Sequence, residues 1–158
     1  MLGTEMVRAG ASLVYGGGNV GLMGSLADAV MEAGGEVTGV IPEFLLAREV
    51  GHRGITRLEV VGSMHERKQR MAELADAFLA IPGGWGTLEE LAEILTWRQL
   101  GLIRQPVGVL NVNGFFGPLL QQMKVMSDEG FLDPSYLDVL RVFKTPAQAV
   151  AALSRKVG

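Results

Sequence analysis

Residues 76–95 pass from a short apolar run, through a turn rich in glycine, into a stretch with helical spacing, and that succession narrows the choice of fold sharply. Asp76-Ala77-Phe78-Leu79-Ala80-Ile81 is almost continuously hydrophobic, as expected of a strand buried on both faces of a parallel sheet. Leu88, Leu91, Ala92 and Leu95 then recur at helical intervals, so one face of the following helix should meet a core. Between them lies Pro82-Gly83-Gly84-Trp85-Gly86-Thr87. Glycines allow main-chain N–H groups to approach an anion closely, and a helix start offers free amides and the positive end of its dipole. Thr87 adds a hydroxyl at the predicted helix start. The segment therefore reads as a phosphate site.

Helix geometry also separates the nearby carboxylates. At about 100° per residue, Glu90 projects about 60° from Thr87, whereas Glu89 points roughly 160° away. Glu90 is thus the carboxylate that can share a pocket with a phosphate. Glu89 and Glu93 read as solvated or dipole-favouring residues, and the dipole role is the plain alternative for Glu90 as well.

The same strand-to-helix alternation covers the whole chain. Strands are predicted at 11–15, 37–41, 55–61, 77–81, 107–111 and 139–143. Helices are predicted at 22–33, closed by Gly34-Gly35, then at 63–75, 87–102, 115–127 and 146–156, while residues 2–9 look like the tail of a helix feeding the first strand. Strands joined by helical crossovers imply a doubly wound parallel sheet, a Rossmann-like α/β fold, and 158 residues suit a single nucleotide-binding domain over 1–158. Ligands of such sheets bind beyond the carboxyl ends of the strands, where both glycine-rich turns fall.

Composition removes several function classes. The absence of cysteine excludes disulfides, thiolate zinc sites and cysteine nucleophiles, and suits a reducing cytoplasm. The two imidazoles, His52 and His65, are not paired at ligand spacing, so no metal is expected. A net charge of −3 and an isoelectric point near 5.4 argue against a partner with a nucleic-acid backbone. No apolar run has the length of a membrane span, and the start, Met1-Leu2-Gly3-Thr4-Glu5, lacks the shape of a signal peptide. A cytoplasmic protein with no membrane partner is the expectation.

A second informative segment is Ser63-Met64-His65-Glu66-Arg67-Lys68-Gln69-Arg70-Met71. Ser63 with Glu66 forms a capping box, which gives Glu66 a structural task. On a helical wheel Met64, Met71, Leu74 and Ala75 make the apolar face. Arg67 and Lys68 flank its centre, while Gln69, Arg70 and Glu73 lie toward the opposite side. Two cations beside a core-facing stripe are unfavourably placed unless an anion meets them or both side chains snorkel outward. A phosphate would suit both, since arginine supplies a planar fork of donors and lysine a point charge.

The third segment, Tyr15-Gly16-Gly17-Gly18-Asn19-Val20-Gly21-Leu22-Met23-Gly24, satisfies a dinucleotide fingerprint through Gly16, Gly18 and Gly21. The acidic residue expected after the next strand is not convincing, because Ile41 is followed by Pro42 and then Glu43. A tight loop admitting a nucleotide, or close strand–helix packing, explains the glycines more simply.

Taken together, the 82–90 motif, the Met64–Lys68 helix start and the Tyr15–Gly24 loop resemble the LOG ("lonely guy") family, long labelled lysine decarboxylases. The likeness extends over essentially the whole chain. It implies a phosphoribohydrolase that cleaves the N-glycosidic bond of cytokinin riboside 5′-monophosphates, and often AMP, releasing free base and ribose 5-phosphate without a cofactor. The resemblance implies Arg67 and Glu90 as the catalytic pair. It also implies Lys68, Gly83, Gly84, Gly86 and Thr87 as phosphate-binding residues, with Gly18 and Met23 near the nucleotide. It further implies a homodimer whose active site is completed across the interface by the helix after the glycine motif, where Ile94 and Trp97 form a second apolar patch. Family members usually begin with a strand and a glycine–serine loop, so the sheet is expected to lack that first strand.

Other readings stay open on sequence grounds. A nucleotide or cofactor carrier could use the same scaffold, and molybdenum-cofactor carriers look similar at the glycine motif. Nicotinamide binding would favour a dehydrogenase. A decarboxylase would need a lysine for a pyridoxal Schiff base, and of Lys68, Lys124, Lys144 and Lys156 only Lys68 lies near the expected site. Phe44–Arg53 and Phe115–Pro118 are candidates for shaping the base pocket, against the plainer reading of the phenylalanines as core.

Overall fold

Short β-rich runs separated by amphipathic helices produce parallel strand pairing. A computed structural model describes residues 1–154, apart from 47 and 49. The chain divides into two compact units, Met1–Ala75 and Asp76–Gly158, each built on its own three-stranded parallel sheet.

In the first unit, α1 (Leu2–Arg8) precedes β1 (Leu13–Tyr15), α2 (Gly21–Glu32), β2 (Val37–Pro42), β3 (Arg57–Val61) and α3 (Met64–Leu74). The sheet order is β1-β2-β3, with Leu13 opposite Val37 and Thr38 opposite Arg57. Leu13, Tyr15, Ala27, Val30 and Val37 form the buried cluster, joined by Met6, Val7, Met23, Leu26, Met31 and Ile55. Helix α2 ends as its glycines foretell: Gly34 takes a φ of 81°, and the Gly35 N–H donates to the Val30 carbonyl at 2.9 Å.

In the second unit, β4 (Phe78–Ala80) leads into α4 (Trp85–Gln99), followed by β5 (Val107–Leu110), α5 (Gly117–Asp128), β6 (Leu140–Phe143) and α6 (Pro146–Leu153). The order is β4-β5-β6, with Phe78 opposite Val107 and Val107 opposite Leu140. Leu91, Val107, Val109, Phe116, Met123 and Leu140 make its core, against which Ile94 and Leu95 pack.

The expected parallel α/β architecture is present, with several local corrections. Strand β4 is half-buried rather than buried on both faces, because within its sheet it is an edge paired with β5 alone. Helix α4 starts two residues earlier than expected and stops at Gln99, where Gly101 turns left-handed at φ 73° and its N–H donates to the Arg98 carbonyl. Arg70 does not face away. It grips Glu59 on β3 through two hydrogen bonds of 2.7 and 3.2 Å, and that bonding holds the Glu59 carboxyl below its ordinary range. Ile94 belongs to the core instead of a separate patch, and Trp97 is half-buried. The last residues assigned to the closing helix, 155–156, lie outside the described residues. No helix among the described residues is long and apolar enough to cross a membrane.

Candidate functional site

The first unit carries the candidate cations, Arg67 and Lys68, at the start of α3. Ser63 caps this helix by accepting from the Glu66 N–H at 3.1 Å, as the capping box foretells. The reciprocal bond runs one residue further back than expected, with a Glu66 carboxylate oxygen accepting from the Gly62 N–H at 2.8 Å. The cap fixes the first turn, and Arg67 leaves it pointing inward. Only 5% of Arg67 is exposed, so the outward-snorkelling alternative fails for this residue. Its Nη2 donates to the Gly16 carbonyl at 2.9 Å, and its Nη1 lies 3.8 Å from the Met64 sulfur. A bond to a main-chain carbonyl offsets part of the cost of burying a guanidinium. Lys68 is half-buried beside it.

The glycine loop after β1 is shaped by its neighbours within this unit. Gly16, Gly17 and Gly18 are all buried. Gly17 adopts a φ of 76°, and a Cβ there would lie 3.0 Å from the Leu58 side chain. Gly24 admits the Asn19 main chain, with a Cβ position only 2.8 Å from Asn19 C and O. The segment around His52 clamps the loop from outside. His52 N–H donates to the Gly17 carbonyl at 2.9 Å, Asn19 N–H donates to the Val50 carbonyl at 3.1 Å, and Gly18 bridges Gly51. Close packing thus accounts for Gly17 and Gly24, whereas Gly21 has a φ of 60° and open space around it. Met23 is half-buried and packs against the core cluster.

His52 and Tyr15 were not singled out by sequence reasoning as loop supports. His52 is buried. Its Nδ1 accepts from the Gly54 N–H at 3.3 Å and its Nε2 lies 2.9 Å from an Asp28 carboxylate oxygen, which assigns the tautomer with the proton on Nε2. The Tyr15 phenol is buried with no hydrogen-bond partner among the described residues. Burial, and then the Asp28 charge, push it up to about 12. Contacts such as Asp28 with His52 and Gly16 with Arg67 join residues 24 and 51 positions apart, a separation that leaves no periodic signal in one sequence.

The second unit carries the glycine turn and the carboxylates. Gly84 is the N-cap of α4, so Trp85, Gly86 and Thr87 form the first helical turn, and Leu88 N–H is bonded to the Gly84 carbonyl at 3.2 Å. Thr87 is therefore the third residue of the helix rather than its start. Glycine is tolerated at 86 because a first-turn N–H has no helical bond to lose. Thr87 Oγ1 folds back over Gly83, where any Cβ would collide with it. Gly84 and Gly86 differ: both are exposed, neither has a left-handed φ, and a Cβ on either would meet nothing within 4 Å. The helix presents Glu90 half-buried and Glu89 exposed, the order the wheel gives. Glu93 is also half-buried. Trp85 stands 87% exposed at the mouth of the turn.

The phenylalanines divide. Phe116 is core at 1% exposure and meets Phe115 edge-on at 5.1 Å, whereas Phe115 and Phe44 are exposed. Part of the 44–53 stretch lies outside the described residues.

A family model described as possible lysine decarboxylase matches residues 23–153. A protein of Oryza sativa subsp. japonica named cytokinin riboside 5′-monophosphate phosphoribohydrolase LOG is 52% identical over 131 residues, covering 83% of this chain and 54% of that protein. A Rhodococcoides fascians protein named cytokinin riboside 5′-monophosphate phosphoribohydrolase is 48% identical over 153 residues, 96% of this chain and 77% of its own length. The chain spans 54% and 62% of the length of two rice relatives it matches. Among solved structures, the molybdenum cofactor carrier protein from Chlamydomonas reinhardtii superposes with a TM-score of 0.68 over 96% of this chain and 80% of that one. At 24% identity that likeness speaks to the fold alone.

Proposed function

This chain belongs to the LOG family, whose model carries the description possible lysine decarboxylase, and on that premise we propose that it is a nucleoside 5′-monophosphate phosphoribohydrolase. It cleaves the N-glycosidic bond of cytokinin riboside 5′-monophosphates, and of AMP, to free base and ribose 5-phosphate. The observation that carries this reading is the turn before α4. Gly84 and Gly86 have neither a left-handed φ nor a crowded neighbour to require them, and the N-cap offers no side chain to the first amides of the helix. Glycines that nothing within the unit crowds suit close approach by an external anion.

In this reading, residues 1–158 work as one nucleotide-binding domain. The first-turn amides, with Gly83, Gly84, Gly86 and Thr87 and the cations Arg67 and Lys68, bind the 5′-phosphate. Gly18 and Met23 shape the approach to the nucleotide. Glu90 faces the ribose, where departure of the base breaks the C1′–N bond, water supplies the oxygen bonded to C1′, and positive charge builds on the ring in between. A fixed carboxylate stabilises that charge or orients the water. Burial of Arg67 supports its place in the catalytic pair, because a guanidinium held in one orientation costs little to reorganise. The protein acts in the cytoplasm as a homodimer, with the partner's copy of α4 completing the site. A decarboxylase finds less support: Lys124 is exposed and bonded to Asp128, and Lys144 is exposed.

Incubation with AMP and with isopentenyl-AMP, followed by chromatographic separation of released bases, tests the assignment. Glu90→Gln is expected to lower the rate by about 10²–10³, the scale of losing one preorganised electrostatic group. Full hydrolysis of AMP by that variant would remove Glu90 from the mechanism. Tight AMP binding with no base released would favour a carrier instead.

A further inference from the structure

We infer that Gly16 is a positioning residue for Arg67, a seat that fixes where the guanidinium lies. Three observations combine. Gly16 is buried and lacks the left-handed φ that gives Gly17 and Gly21 their reason to be glycine. Its carbonyl receives the Arg67 Nη2–H at 2.9 Å. The three atoms nearest an added Cβ all belong to Arg67: Nη2 in outright collision, Cζ at 2.9 Å and Nε at 3.3 Å. The missing side chain at position 16 is thus filled by the arginine, and the first glycine of an apparent dinucleotide fingerprint serves a guanidinium rather than a pyrophosphate.

The contact does two things at once. Absence of a Cβ lets the guanidinium lie against the main chain, and the carbonyl selects which edge of the fork is consumed. Any side chain at 16 pushes the fork away from both. This inference rests on the reading of Arg67 as a catalytic group, because a seat matters to turnover only if its occupant does.

A double-mutant cycle separates the seat from an ordinary tight turn. Gly16→Ala should lower kcat/KM for AMP by about 10²-fold, the scale of an ångström-sized misplacement of a catalytic group, and should lower Tm. In Arg67→Met, which keeps the apolar stem and removes the colliding Nη2, adding Gly16→Ala should leave Tm unchanged. Gly3→Ala serves as control. A Cβ there would sit 2.9 Å from the Ala29 main chain, so Tm should fall while kcat/KM holds. If Gly16→Ala does not fold alone, recovery of folding in the double variant carries the same conclusion. A Tm loss that persists in the Arg67→Met background overturns the seat, because the backbone itself would then need glycine. Full AMP hydrolysis by Arg67→Met sinks the positioning role by removing Arg67 from catalysis, whereas failure of the unaltered protein to release adenine sinks the functional reading, so the two failures are told apart.

Discussion

After β1 the chain runs through Gly16-Gly17-Gly18 toward α2, and after β4 it runs through Gly83-Gly84 into α4 with Gly86 close behind. The two turns look alike in composition and differ in what surrounds them. In the first, neighbours within the unit account for Gly16, Gly17 and Gly24: a guanidinium for Gly16, a left-handed φ and Leu58 for Gly17, and the Asn19 main chain for Gly24. The turn is buried and clamped by the His52 segment. In the second, Thr87 accounts for Gly83, while Gly84 and Gly86 have open space around them. A glycine required by its own fold says little about ligands. One the fold does not require points outward.

The contrast is sharpened first by stability. Gly24→Ala should cost about 1–3 kcal/mol, the usual range for overpacking, since the Asn19 main chain cannot move away cheaply. Denaturant midpoints check it. Gly86→Ala should do the reverse, leaving stability equal or raising it by up to about 1 kcal/mol through helix propensity, while raising KM for AMP. A Gly86→Ala protein as weakened as Gly24→Ala would break the distinction, and an unchanged KM would remove the amides of that turn from substrate binding.

A smaller effect tests how dry the stem of the first turn is. The Tyr15 phenol is raised from 10.0 to about 12 by burial and by Asp28. A raised value in the folded state means the stabilising contribution is complete below the ordinary tyrosine range and is lost as pH climbs through about 12. Phenolate absorbance should therefore show a late alkaline phase that Tyr15→Phe abolishes. An early phase alone would mean that water reaches the stem.

Much of this could be read from the chain, for definable reasons. Period and turn chemistry are local, so the order of strands and helices, the Ser63 cap and the Gly34-Gly35 stop follow from neighbouring residues. The choice of Glu90 over Glu89 also needed only helix geometry, and their exposures agree with it. What escaped depends on distant partners. Arg67 reads as a cation beside an apolar stripe until Gly16, 51 positions away, supplies a carbonyl and a vacant Cβ position. Arg70 reads as outward-facing until Glu59 meets it from β3. Ile94 reads as a spare apolar patch because a helical wheel cannot say how far a core reaches around a helix. The start of α4 was misplaced because glycine disfavours helix interiors, a penalty that does not apply in the same way to a first turn.

Helix α4 begins after Gly84, an N-cap residue with no side chain to accept from the first amides. Helices α3 and α6 carry Ser63 and Thr145 as built-in caps, and under the proposed function the substrate's phosphate would cap α4 from outside. Under that proposal occupancy and local order become one thermodynamic quantity: an anion filling the turn would also secure the end of the helix, and its departure would return that end to fraying. If the proposed function holds, hydrogen exchange at Trp85, Gly86 and Thr87 is expected to slow as substrate or product accumulates.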